Sequence, residues 1–110
     1  MPNNFKNDVT SGVGTSLTDI YTAGTGVTAT IIGMTCANTT NSSVNVTVKV
    51  TDTSAGVTAS VVETAPVPSG GSLVVIGGNQ KLVLETTDVL KVQSSASSSI
   101  DVVVSILEQT

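Results

Sequence analysis

The stretch 44–50 (VNVTVKV) alternates without a break, with Val44, Val46, Val48 and Val50 on one side and Asn45, Thr47 and Lys49 on the other. A period of two held over seven residues predicts a half-buried strand. The pattern returns at 100–107 (IDVVVSIL), where Ile100, Val102, Val104 and Ile106 share a face, and at 80–85 (QKLVLE), with Leu82 and Leu84. In 27–37 (VTATIIGMTCA) the phase flips: Val27, Ala29 and Ile31 share one face, then Ile32, Met34 and Cys36 the other. A β-bulge near Gly33 would bring both sets into one core. Residues 15–22 (TSLTDIYT) slip by one between Leu17 and Ile20, which predicts a bulge or a short strand there. Further short strands are predicted at 57–65, 73–76 and 89–93.

Turn chemistry separates these runs. It falls at AGTG (23–26), NTTNSS (38–43), TDTSAG (51–56), SGGS (69–72), GGN (77–79), TTD (86–88) and SSASSS (94–99). The 38–43 tip is of the kind that closes a hairpin. The 77–79 turn has glycines that tolerate positive φ. Pro66 and Pro68 stop the 57–65 strand or confine it to a sheet edge. About eight strands, with no crossover helix between them, predict an all-β fold: an antiparallel two-sheet β-sandwich, of which a jelly roll is one form. No internal repeat points to a solenoid. Residues 1–14 (MPNNFKNDVTSGVG) show no clean period and read as an extended N-terminal arm ahead of a sandwich domain at 15–110. Phe5 and Val9 are the arm's anchors, and it either frays or docks on a neighbour.

Composition sharpens this picture. Val (19), Thr (18) and Ser (14) make up 51 of the 110 residues, and Val and Thr favour a pleated surface. Phe5 and Tyr21 are the only aromatics, so the core must be built of small aliphatics and has little margin alone. Burial against neighbouring subunits would add to it. The net charge is −4, and the four basic residues are all lysines. Without a basic patch, nucleic acid and anionic membrane are excluded as partners. No run approaches the ~20 apolar residues of a membrane-spanning helix. The start, MPNNFK, lacks the apolar segment of a signal peptide, so the chain is expected to stay in a reducing cytoplasm or be assembled there.

The chemistry-bearing residues are sparse. With no histidine, Ser-His-Asp and Cys-His catalysis are excluded in cis, and one cysteine cannot build a zinc site. Cys36 reads as a small buried hydrophobe. Gly12-Val13-Gly14 lacks the strand and helix of a nucleotide-binding turn. Asp8, Asp19, Asp52, Glu63, Glu85, Asp88, Asp101 and Glu108 fall mostly at turns or on outward phases, where the reading is solvated charge and turn chemistry. The loop Thr51-Asp52-Thr53 offers one carboxylate, too few for calcium. The sequons at Asn38, Asn41 and Asn45 read as by-products of polar turns. No catalytic, cofactor-binding or metal-ligating residue is therefore assigned, and no cofactor. Sheet edges are guarded only by Lys49, Lys81 and Lys91, which suits edges that meet neighbours. Phe5, Val9, Pro66 and Pro68 are the candidate protein-interface residues.

The order of segments is familiar as well. A Thr-rich strand ending at Tyr21-Thr22 leads to an ANTT tip at 37–40, then VTVKVTDTSAG, APVPSGGSL, a KLVLETTDVLKVQSSA hairpin and a closing DVVVSILE. This succession, over about residues 15–108, resembles small structural proteins of tailed bacteriophages, cyanophages among them. The resemblance implies a virion component with a β-sandwich domain and no catalytic residues. The expected role is a capsid decoration (cement) protein on the outer shell, with the major capsid protein or other virion proteins as partners. It would act as a homo-oligomer, a dimer or trimer, located in the virion after assembly in the host cytoplasm. A tail, neck or fibre-associated adhesion component is the alternative; the shortage of aromatics argues against glycan binding.

Overall fold

Alternation drives the chain into strands wherever one side can be buried. The computed structural model, which describes residues 3–77 and 79–110, contains nine of them and no helix among those residues. They are β1 (Asn3–Val13), β2 (Thr18–Thr22), β3 (Thr28–Asn38), β4 (Val44–Asp52), β5 (Val57–Val67), β6 (Ser72–Ile76), β7 (Leu82–Leu84), β8 (Val89–Ser94) and β9 (Ile100–Gln109).

Two antiparallel sheets result. Sheet A runs β1-β9-β3-β6, with β7 also on β3, and sheet B runs β2-β8-β4-β5. β6 pairs with Met34–Ala37 of β3 and β7 with Ala29–Ile31, so β6 and β7 act as one interrupted strand. Counted that way, eight positions pair from the outside in: β1 with β9, β2 with β8, β3 with β6/β7, and β4 with β5. This nested order, a long folded ribbon rolled over two sheets, is a jelly roll. The sandwich predicted from alternation is therefore observed in this form.

The core lies between the sheets. Ile31, Met34, Ile76, Leu84, Ile100, Val102 and Ile106 of sheet A meet Val46, Val48, Val67, Leu90 and Val92 of sheet B, all essentially solvent-free. The predicted bulge in β3 is present, since the register with β9 shifts between Ile31 and Gly33. It re-phases Met34 and Cys36 inward; Ile32 is the extra residue and stays half-exposed instead of joining them. The slip in β2 is a bulge between Asp19 and Tyr21 that buries both Ile20 and Tyr21. Pro66 lies in β5 and Pro68 just after it, and β5 is an outer strand of its sheet, as proline requires.

Three expectations are corrected. The 38–43 tip does not close a hairpin: β3 belongs to sheet A and β4 to sheet B, so the tip crosses between layers. The same holds for the segment expected as an 81–96 hairpin, because β7 and β8 lie in different sheets. Turn residues announce a reversal but not the layer into which the chain returns. The 38–43 crossing is held by Asn38, whose buried amide donates to the carbonyls of Ser42 (2.8 Å) and Val67 (3.0 Å) and accepts from the Thr40 amide (2.9 Å). No buried side-chain polar atom lacks a partner among the described residues.

The third correction concerns the N-terminus. Residues 3–13 of the expected arm are the edge strand β1, paired with β9 from Asn3↔Gln109 to Val13↔Ile100. Met1 and Pro2 lie outside the described residues, as does Gly78 of the 77–79 turn. β1 shows no inward apolar period because its pattern is inverted. Phe5 and Val9 point away from the core, while Lys6 and Asp8 share the register of buried Ile106 and Val104.

Candidate functional site

That inversion places apolar side chains on the outer face of sheet A. Phe5 of β1, Leu107 of β9, Thr30 of β3 and Val83 of β7 occupy one row across the sheet. Val9, Val103, Thr35 and Val74 occupy a second row across β1, β9, β3 and β6. Between them runs a row of small or polar residues, Asn7, Ser105 and Gly33, with Ile32 beside Gly33 at the bulge. The exposures are large for apolar side chains: Phe5 71%, Val9 61%, Val74 64%, Val83 57% and Val103 47%. No lysine, aspartate or glutamate falls in the three rows. A shallow open depression of about 340 Å³ lies there, lined by Phe5, Lys6, Asn7, Ile32, Ser105 and Ile106.

The charges of β1 are spent beneath this face. The Lys6 ammonium lies 3.7 Å from a Glu108 carboxylate oxygen and 5.7 Å from the centre of the Tyr21 ring. The Tyr21 hydroxyl donates to the same carboxylate. Burial first, then the Glu108 carboxylate, pushes the Tyr21 phenol well above its ordinary value, so it stays a neutral donor. Inward-pointing charge on an edge strand also discourages indiscriminate strand pairing.

The outer face of sheet B is chemically opposite. Lys49 of β4 stands directly across from Lys91 of β8, and Lys91 pairs with Asp19 of β2 at 3.2 Å. Thr51 and Thr58 share a hydroxyl hydrogen bond of 2.8 Å, and Ser60 donates to Glu63 at 2.6 Å.

Asp52, Glu85 and Asp88 bring carboxylate oxygens within 4.8 Å of one another at one end of the sandwich. The oxygens of Asp88 accept from the Thr53 amide (3.2 Å) and the Glu85 amide (3.0 Å). Asp52 accepts from the Ser54 hydroxyl (2.8 Å) and the Ala55 amide (3.1 Å), and the Ala55 bond leads in holding its carboxyl below the usual range. These groups fasten turns. Cys36 is fully buried, and burial pushes its thiol up to about 12. A thiol so placed is neither a nucleophile at neutral pH nor within reach of another chain.

Of the residues expected at an interface, Phe5 and Val9 lie on the outer face of sheet A. Pro66 and Pro68 are exposed on or just after β5, the far edge of sheet B, and the structure does not bring them to the same face. Val103, Val74, Val83, Leu107 and Ile32 were not singled out from the sequence. The signal available was the doubled valine, since VVV at 102–104 and VV at 74–75 put an aliphatic on both phases of a strand.

The two-layer fold has counterparts of known structure. No family model matches the chain, and no curated protein matches it significantly. Among solved structures, the chain is similar over its whole length to a protein of Bacillus endospore appendages, described as a family of disulfide-linked pili. The identity is 15%, 91% of that chain is covered and the TM-score is 0.51, a likeness of fold. It is also matched to structures of infectious bursal disease virus, strain Gt at 12% identity and TM-score 0.45, and strain Gx at 10% and 0.46. Those matches cover 98% and 96% of this chain but only 30% and 35% of the viral chains.

Proposed function

We propose that this protein is a non-catalytic structural component of a bacteriophage virion, a decoration protein that joins the outer shell and reinforces it through repeated protein–protein contacts. One observation carries the reading: the sandwich core leaves a second apolar surface open on the outside of sheet A, with no ionised side chain in its three central rows. A soluble domain gains nothing from such a face unless protein covers it. The order of segments along the chain, similar to that of tailed-phage structural proteins, supports the setting in a virion. The absence of histidine and arginine from the sequence supports a role without catalysis. The major capsid protein is the partner in this reading. The β5 edge with Pro66 and Pro68 is the surface left to meet it, and many weak contacts per shell sum to strong retention.

Quantitative densitometry of purified particles from the phage that encodes the chain tests this. Copies on the order of hundreds per particle, comparable with the major capsid protein, are expected for a shell-wide contact. A far smaller number would assign the chain to the tail or neck, and absence from particles would overturn the reading.

A further inference from the structure

We infer that the outer face of sheet A is a self-association surface, and that its occupant is the same face of a second copy of this chain. The inference deepens the assembly reading above by naming the partner of one face. Three observations lead to it.

The first is charge. Each chain carries −4, yet neither apolar row nor the row between them holds an ionised side chain. Two copies can therefore meet here without placing like charges together. The outer face of sheet B carries Lys49, Lys91 and Asp19, so a contact with its own copy there would have to desolvate ionised groups.

The second is symmetry. The Phe5 row and the Val9 row each lie two residues, about 7 Å, from the Asn7–Ser105–Gly33 row. A two-fold axis in the plane of the face, along or across the strands, stacks apolar row on apolar row and middle row on middle row. This is the self-complementarity that an isologous dimer requires. The depression of about 340 Å³ beside Phe5 and Ile32 gives the facing side chains somewhere to interdigitate.

The third is area. Four strands at ~4.8 Å and nine residues at ~3.4 Å make a face of about 19 by 30 Å, or about 600 Å² before the pleats are followed. Specific interfaces bury about 600–1,000 Å² of accessible surface per partner, so the whole face is needed to reach the lower end of that range. The apolar rows sit centrally, with Asn3 and Gln109 at one end and Asp101 and Ser72 at the other, so the face has an apolar centre and a polar rim.

Sedimentation velocity of the full-length chain, from about 1 to about 100 µM, is the test. The wild type is expected to shift from 11.0 kDa to twice that mass. Val103→Lys and, independently, Val9→Lys should each raise the dissociation constant by at least about tenfold while the far-ultraviolet circular dichroism stays that of the wild type. Thr58→Lys, on the outer face of sheet B, should dimerise as the wild type does. If Val103→Lys fails to fold, Val9→Lys at the edge decides. A wild type that stays monomeric at the highest concentration overturns the inference. So does self-association unchanged by both face variants, or lost in Thr58→Lys. A monomer still present at high copy number in particles would sink the dimer and leave the decoration role standing; a dimer missing from particles would do the reverse.

Discussion

Sheets A and B are made from the same small set of residues and contribute alike to the core, yet their outer faces differ. Sheet B turns Asn45, Lys49, Lys91 and Gln93 outward, a surface at ease in water. Sheet A turns out Phe5, Val9, Val103, Val74 and Val83. The fold does not demand this, because the core is satisfied by the opposite phase of every strand. What the contrast teaches is that the outward phase of a sandwich strand is free of the core's demands, and in sheet A that phase is apolar.

The comparison can be tested from the inside outward. The largest effects should come from inside, where the sheets are equal. Leu90→Ala in sheet B and Ile106→Ala in sheet A each empty a buried position and should lower unfolding free energy by about 2–5 kcal/mol in urea titrations. A loss from only one of them would show that the layers do not share one core.

Next comes the junction between β1 and the sandwich. Tyr21→Phe removes the hydroxyl that donates to Glu108 and should cost about 0.5–1.5 kcal/mol. The phenol's pKa is raised in the folded chain, so its contribution is complete below the unfolded value of about 10 and is lost as the pH rises beyond it. The denaturation midpoint of the wild type should therefore fall more steeply at alkaline pH than that of Tyr21→Phe.

A smaller effect separates the outer faces directly. Lys49→Glu converts the Lys49–Lys91 cross-strand pair from repulsive to attractive and should stabilise the chain by about 0.2–1 kcal/mol, less in high salt. A loss instead would mean that the outer face of sheet B is not the solvated surface described here. The smallest change is expected at Asp52, whose carboxyl is held low by the Ala55 amide and the Ser54 hydroxyl. The ionised form is the one favoured on folding, so its contribution is present above the unfolded value of about 3.9 and disappears as the pH falls through the lowered one. In Asp52→Asn the acid limb of the stability curve should be slightly flatter.

Much of this was legible along the chain. The inward valines of β4, the inward face of β9, the bulge by Gly33 and the edge position of β5 with its proline all follow from period two and from what glycine and proline permit. Two of the seven apolar residues on the outer face of sheet A were legible too, because Phe5 and Val9 are large apolar residues in a polar stretch. Their companions were not, since an exposed valine in β9 or β6 looks the same in sequence as a buried one. β1 itself was missed as a strand because its apolar residues face outward and its lysine and aspartate inward, so the usual period points the wrong way.

The sequence by itself determined that this chain is all-β, where most of its turns fall, and that the alternating valines of β4 face the core. Those are consequences of side-chain shape and local backbone preference, which act over a few residues. Which strand lies beside which, that the 38–43 tip spans two layers, and that Phe5 aligns with Leu107 and Val83 while Val9 aligns with Val103 and Val74, were decided only in three dimensions. Register is set by long-range hydrogen-bonded pairing, and a face exists only once residues more than ninety positions apart are brought side by side.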